Sequence, residues 1–234
     1  MSTLRLGSNH SLVSELKRYL NYRLTPGPNL PINNHFDIQT KYAVQNFQQR
    51  EWLVVDGIVG DATWNALREV EEFNVLRPPA HHVPQPDGTT CWAASTGMLL
   101  GRSSPATAPA SMRASDGGLL NDSEANDQAV TGQYARLYGL TLLAGQSWLP
   151  SGLAELLRNH GPLMINVLWS VRGFVSGAGS SGHMIIIAGI RGTDTAATVR
   201  IYDPWPPGTG GIYSRGYARL MRDIPAATYQ IYHR

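Results

Sequence analysis

Apolar positions in the first third of the chain recur at helical spacing. Leu12, Val13, Leu16 and Leu20, with Tyr19 beside them, mark one helix face. A loop rich in Pro, Gly and Asn runs from Thr25 to Asn34, and Phe36, Thr40, Ala43, Val44 and Phe47 mark a second face. Asp37 fits the N-cap of that helix, because its carboxylate can accept from first-turn amides. A third helix is expected from Asp61, another N-cap candidate, with Trp64, Leu67 and Val70 on one side. Three short helices around a small apolar centre is the economical arrangement. The next stretch, FNVLRPPAHHVP over 73–84, carries prolines and no period. It predicts a linker, or an ordered strap onto the second domain.

The pattern then changes. Cys91 to Leu100 is small and apolar and ends at Gly101, which suits a helix with a glycine stop. Residues 102–118 look like loop. Asp122–Tyr138 predicts a helix closed by Gly139, and Ser151–His160 another, stopped by Gly161-Pro162. Strands are expected at Leu163–Trp169, His183–Ile190, Val199–Asp203 and Tyr229–Tyr232. VSGAGSSG over 175–182 reads as a short flexible loop, and no internal repeat is visible. Helices first and strands later is an α+β order. The expected division is a helical unit over 1–72, a linker over 73–84 and a second domain over 85–234.

Composition narrows the chemistry. Of 234 residues, 42% are hydrophobic, enough for a packed core, and the formal charge of +2 is far from that of a dedicated nucleic-acid binder. No run approaches the roughly 18 apolar residues of a membrane span. The N-terminus lacks the apolar stretch of a secretory signal, so synthesis in the cytoplasm is expected. A single cysteine excludes an internal disulfide and any zinc site needing two thiolates. His81 and His82 sit in the Pro-rich stretch with no carboxylate at ligand spacing, so they are expected to be solvated and not to hold a metal. No phosphate-binding glycine motif and no Gly-x-Ser-x-Gly elbow occurs. No metal or cofactor is expected, and a monomer is favoured.

The most informative string is Gln85-Pro-Asp-Gly-Thr-Thr-Cys91-Trp92-Ala-Ala-Ser95. It puts a cysteine at a helix start, where the partial positive charge favours thiolate over thiol. Gln85, six residues upstream, can offer an amide N–H to a developing oxyanion, together with the Cys91 backbone N–H. A thiolate nucleophile needs a histidine to pair with it and to protonate the leaving amine. His183 opens an apolar strand right after Ser180-Ser181-Gly182, and Asp203 closes the strand VRIYD before Pro204-Trp205. Neighbouring strands would bring the two together. Trp92, Gly182 and Trp205 are candidates to touch substrate, and Trp169 is an alternative groove residue.

Two resemblances rest on these residues. Residues 5–67, and above all AVQNFQQREWLVVDGIVGDATWNAL, resemble the three-helix peptidoglycan-binding domain found beside many cell-wall hydrolases. Most of the matching side chains are core positions of a small bundle, so wall binding is implied by the family alone. Residues 82–234, in the order Gln85, Cys91-Trp92, His183 and Asp203, resemble the papain-like cysteine peptidases. The CWAAS string, the Gly-His-apolar strand and Asp-Pro-Trp are most similar to bacterial branches, the bacteriocin-leader peptidases and the type III effector proteases of plant pathogens. Classical papain-type enzymes carry Asn in the third role, so Asp203 marks a distant relative.

Together the resemblances imply a peptidoglycan hydrolase that cuts an amide of the peptide stems or cross-links by a Cys-His-Asp mechanism. Action in a target cell's periplasm would require delivery as a type VI secretion effector, with an immunity protein guarding the producer, or release as a phage-type lysin. The alternatives are a papain-like effector protease with a protein substrate and an inactive wall-binding protein.

Overall fold

The computed structural model describes residues 2–119, 128–144, 146–170, 172–173, 176, 182–224 and 230–234. Three helices come first: α1 (Ser11–Arg23), α2 (Ile38–Arg50) and α3 (Asp61–Arg68). Val13, Leu16 and Leu20 of α1, Phe36, Val44 and Phe47 at α2, and Trp64 and Leu67 of α3 form one buried cluster. Asp37 caps α2 as expected, its carboxylate accepting from the Thr40 N–H. Asp61 does not cap α3. Gly60 holds that position and Asp61 is the first helical residue, where a carboxylate still complements the helix dipole. Val70 lies past the end of α3 and is exposed, so it is no part of the core.

The turn before α3 is built around the buried Gln48. Its Nε2 donates to Asp56 Oδ1 at 2.9 Å and to the Ile58 carbonyl at 2.8 Å, and its Oε1 accepts the Gly57 N–H at 2.8 Å. Gly57 has φ +73°, and a Cβ there would stand 2.9 Å from Lys41 Cγ, so only glycine fits. The Pro-rich loop before α2 is held by Asn21, which donates to and accepts from the backbone of Leu30.

The rest is α+β. Strand β1 (Phe73–Leu76) is followed by α4 (Cys91–Leu99), a 3₁₀ turn (Ala110–Met112), α5 (Gln128–Tyr138), β2 (Thr141–Ala144) and α6 (Pro150–His160). Then come β3 (Leu163–Leu168), β4 (Gly182–Thr193), β5 (Ala196–Asp203), β6 (Gly211–Gly216), a short α7 (Tyr217–Met221) and β7 (Gln230–His233). All pairings are antiparallel, in the order β2-β7-β3-β4-β5-β6, with β1 also on β4. The first part of the expected helix over 122–138 and most of the loop over 175–182 lie outside the described residues. Strands β1, β2 and β6 carry no clear sequence signal: two have four residues, and β6 (GIYSRG) is polar with glycine at both ends.

Alternate residues of β4 face two layers, as a strand's period of two requires. Met184, Ile186 and Ala188 pack with α4 and α5 residues, while Ile185 and Ile187 and, past the irregularity between Ile187 and Gly189 that switches the alternation, Ile190 pack with Leu153 and Leu157 of α6 and Leu220 of α7. Helix α4 is buried along its whole length, and its two polar side chains, Ser95 and Thr96, are hydrogen-bonded inside the core.

Residues 73–76, inside the stretch read as linker or strap, are a strand of this sheet. Gly189 permits the close approach, because a Cβ there would lie 2.8 Å from the Val75 carbonyl oxygen. The helical unit docks on the same strand. Arg191 of β4 is 2% exposed. Its Nε and Nη2 donate to the two carboxylate oxygens of Glu71, both at 2.7 Å, and Nη1 donates to Glu51 Oε2 at 2.9 Å. Its guanidinium also lies over the Trp52 ring, and Ser214 Oγ donates to the Trp52 carbonyl at 2.6 Å. Removing one member of such a cluster strands the other charges. Arg191→Ala should cost about 3 kcal/mol of stability in urea unfolding. The same substitution should cost less in a Glu51→Gln, Glu71→Gln background, where no carboxylate is left uncompensated.

Candidate active site

Cys91 is the first residue of α4 and is 5% exposed. The loop before it is shaped by Asp87, whose Oδ1 accepts from the Thr89 N–H at 3.0 Å and the Thr90 hydroxyl at 2.8 Å. Burial pushes the Asp87 carboxyl up, but these hydrogen bonds outweigh it and its pKa lies below the ordinary value. Thr90 therefore gives its hydroxyl to the loop, and α4 has no side-chain cap.

His183 and Asp203 do meet. His183 Nε2 is 2.7 Å from Asp203 Oδ1, and the two side chains are 3% and 11% exposed. The contact arises from register: β4 and β5 pair with Ile186 opposite Tyr202 and Ile187 opposite Ile201, so the start of β4 lies beside the end of β5. That bond occupies Nε2 and leaves Nδ1 as the other ring nitrogen. The carboxylate has two further donors. Oδ1 also accepts the Trp205 N–H at 2.9 Å, and Oδ2 accepts the Tyr213 hydroxyl at 2.8 Å. Burial pushes the Asp203 carboxyl up, yet the bond and charge of His183, with those two further donors, hold it below the usual aspartate value. Burial and the adjacent carboxylate push the Tyr213 phenol up, so it remains a donor.

Two sets of bonds bring α4 to this pair. Ser95, one turn after Cys91 on the same helix face, donates through Oγ to the carbonyl of Met184 at 2.7 Å. Met184 is the neighbour of His183. The loop leading to Cys91 is also stitched to the loop after Asp203. Gln85 N–H donates to the Pro204 carbonyl at 3.0 Å, and Gly208 N–H donates to the Gln85 carbonyl at 2.9 Å. His82 Nε2 lies 2.9 Å from the Asp203 carbonyl, and its ring meets Tyr202 edge-on. His82 is therefore half-buried and engaged, not solvated as expected, because its segment runs alongside the end of β5.

The remaining candidates divide. Gln85 is 1% exposed. Its Nε2 donates to the Asp87 carbonyl, and its Oε1 is buried with no hydrogen-bond partner. One N–H of that amide thus holds the loop before Cys91. Trp92 is a core residue, not a groove residue. It is 2% exposed, donates through Nε1 to the Gly117 carbonyl at 3.1 Å and packs edge-on against Tyr134. Gly182 is the buried first residue of β4, opposite Leu168. Trp205 is 40% exposed and meets Trp169 edge-on at 5.5 Å. Trp169 itself stacks on the His183 ring with centroids 4.4 Å apart, shielding the His–Asp bond from water on that side. Its contact with the imidazole and that of Tyr213 with Asp203 carry no sequence signal beyond the presence of aromatic residues. Among the described residues no group of three or more His, Cys, Asp and Glu is placed to hold a metal ion.

A cysteine at a helix start, with a buried His–Asp pair at the adjoining sheet end, defines the class as papain-like. The family model described as papain-like cysteine protease AvrRpt2 matches residues 76–212, more than half of the chain, and the chain belongs to that family. A second model, a peptidoglycan binding domain, matches residues 9–67. The N-acetylmuramoyl-L-alanine amidase CwlM of Mycobacterium tuberculosis is 40% identical over 75 residues, which is 28% of this chain and 18% of that protein. The chain thus spans less than a fifth of that relative's length. A solved structure, the Burkholderia AP3 phage endolysin, shares 40% identity over 29% of this chain and 25% of its own, with a TM-score of 0.26. No described helix is long and apolar enough to cross a membrane.

The depressed Asp203 pKa sets a pH dependence. A carboxyl held below 3.8 in the folded state stabilises fully above the unfolded value, and that stabilisation fades as pH falls through the lower folded value. Asp203→Asn should therefore be less stable than wild type near neutral pH, with the gap closing below about pH 3.8. Acid unfolding monitored by tryptophan fluorescence reads it. A gap that stays constant into strong acid would show that the carboxylate charge contributes nothing.

Proposed function

We propose that the protein is a peptidoglycan hydrolase that cleaves an amide of the peptide stems or cross-links. The observation that carries this is the pairing of the His183–Asp203 site with a chain segment matching a peptidoglycan-binding family. The local likeness to a protein named as a muramoyl-alanine amidase supports it. In this mechanism the Cys91 thiolate, favoured by the start of α4, attacks the amide carbonyl carbon. The backbone N–H of Cys91 and the second N–H of Gln85 receive the oxyanion. The His183 imidazolium, held in its tautomer by Asp203, donates its Nδ1 proton to the leaving nitrogen, and the C–N bond breaks. A water molecule, losing its proton to His183, then attacks the thioester and releases the acid and the free thiol.

Two settings suit that chemistry. One is an effector placed in a rival's periplasm, with an immunity protein in the producer. The other is a phage-type lysin. A second reading, a protease with a protein substrate, is favoured by the family model's own description.

Incubating purified peptidoglycan with wild type and with Cys91→Ala, then analysing the products by mass spectrometry, separates the two. Fragments should appear with wild type only, and their masses should identify the bond cut. Cys91→Ala and His183→Ala should each lose at least about 1,000-fold in rate, because such residues act as a unit. Intact peptidoglycan after exposure to a wild-type protein whose thiol still reacts would shift the assignment to a protein substrate.

A further inference from the structure

A cavity of about 220 Å³ opens beside the His–Asp pair, on the sheet face that carries Ile185. At about 30 Å³ per water it has room for roughly seven waters. That is below the ~300–1,000 Å³ of clefts for drug-sized ligands, so it suits one amino-acid side chain and not a sugar pair. Its lining includes apolar Val167 and Ile185, the aromatic pair Trp169 and His183, the Asp203 carboxylate with its three donors in place, and two further unlike charges, Arg215 and Asp223. Arg215 stands on β6 opposite Val199. Asp223 lies just past α7, and its carbonyl accepts the Leu168 N–H at 2.9 Å, which ties this turn to the end of β3. The two side chains form an ion pair and are 26% and 31% exposed, so each keeps an open side. Guanidinium has five N–H donors and a carboxylate has about four acceptor sites, so one mutual contact leaves capacity on both.

The combination selects a particular chemistry. A lone carboxylate entering this cavity gains Arg215 but meets Asp223. A lone ammonium gains Asp223 but meets Arg215. A group with ammonium and carboxylate on one carbon satisfies both, and the apolar residues suit a methylene stem leading to it. His183 lines the cavity, so an occupant lies beside the imidazole.

We propose that this cavity is a specificity pocket that takes the free zwitterionic end of a diamino acid in the stem peptide. The proposal rests on the peptidoglycan hydrolase reading.

The test uses three peptides: L-alanyl-γ-D-glutamyl-meso-diaminopimelate, its lysine counterpart without the terminal carboxylate, and its counterpart with that carboxylate amidated. Calorimetry on the Cys91→Ala protein should show at least tenfold weaker binding of the second and third. Arg215→Gln, checked for folding by its thermal transition, should erase that preference. Asp223→Asn removes only the ammonium partner, so it should let a des-amino analogue bind as well as the parent peptide. Equal affinity for all three peptides overturns the proposal, and so does failure of the first to bind at millimolar concentration. Wild-type digestion of intact peptidoglycan separates the two readings. Preference in binding with no fragments released keeps the pocket and sinks the hydrolase. Fragments released with no preference in binding keep the hydrolase and sink the pocket.

Discussion

Strand β4 has partners on both edges and a packed apolar layer on both faces, so its backbone has almost no freedom. Two unlike tasks hang from it. His183 stands near its start, against Asp203, and Arg191 stands near its end, gripping Glu51 and Glu71. Eight residues at ~3.3 Å each put the two roughly 26 Å apart. The imidazole and the docking arginine are thus held on one rigid rod. β4 also carries the Met184 carbonyl that receives Ser95, so the helix that opens with Cys91 takes its position from the same strand.

Asp203 is the second fixed point, and it shows how a buried charge is tolerated. Taking a carboxylate out of water is costly unless its lone pairs are filled. Here His183, the Trp205 N–H and the Tyr213 hydroxyl occupy three of its roughly four acceptor sites. The same three bonds hold the carboxylate in place, and with it the imidazole it orients. Trp169 covers the ring and lowers the local dielectric, which strengthens the bond beneath it. Stability and orientation of the imidazole therefore arise from one set of contacts.

Much of this is legible in the sequence where the signal is local. Helical periodicity marks Val13, Leu16, Leu20, Val44 and Phe47, and all are in the core. The helix at Cys91 and the strands at His183 and Asp203 announce themselves by apolar runs and glycine stops. The hidden part depends on contacts between residues far apart in the chain. Arg191 reaches Glu51 across 140 positions, and His82 reaches Asp203 across 121. No window of sequence contains such pairs. Short polar strands such as β6 hide for a different reason. Their alternation is weak, and their pairing is enforced by β5 and not by their own composition. Trp92 misleads because a tryptophan after a nucleophile looks functional, while a helix buried on all sides must place it in the core.

The docking by Arg191 also changes what a wall-binding module would do for the reaction. A flexible tether raises local substrate concentration but leaves every bond within reach equally available. Here the chain between the two units is itself a strand of the sheet over Phe73–Leu76, and the Glu72 N–H donates to the Gly192 carbonyl at 2.9 Å. Little slack remains between α3 and β4. A segment held in that way fixes the direction from which a polymer reaches the imidazole, as well as the distance. Fixed direction favours one repeating bond of a regular polymer over its neighbours, and it adds nothing when the substrate is a freely diffusing protein. The buried fork of Arg191 therefore sets how the helical unit is held against the sheet that carries His183.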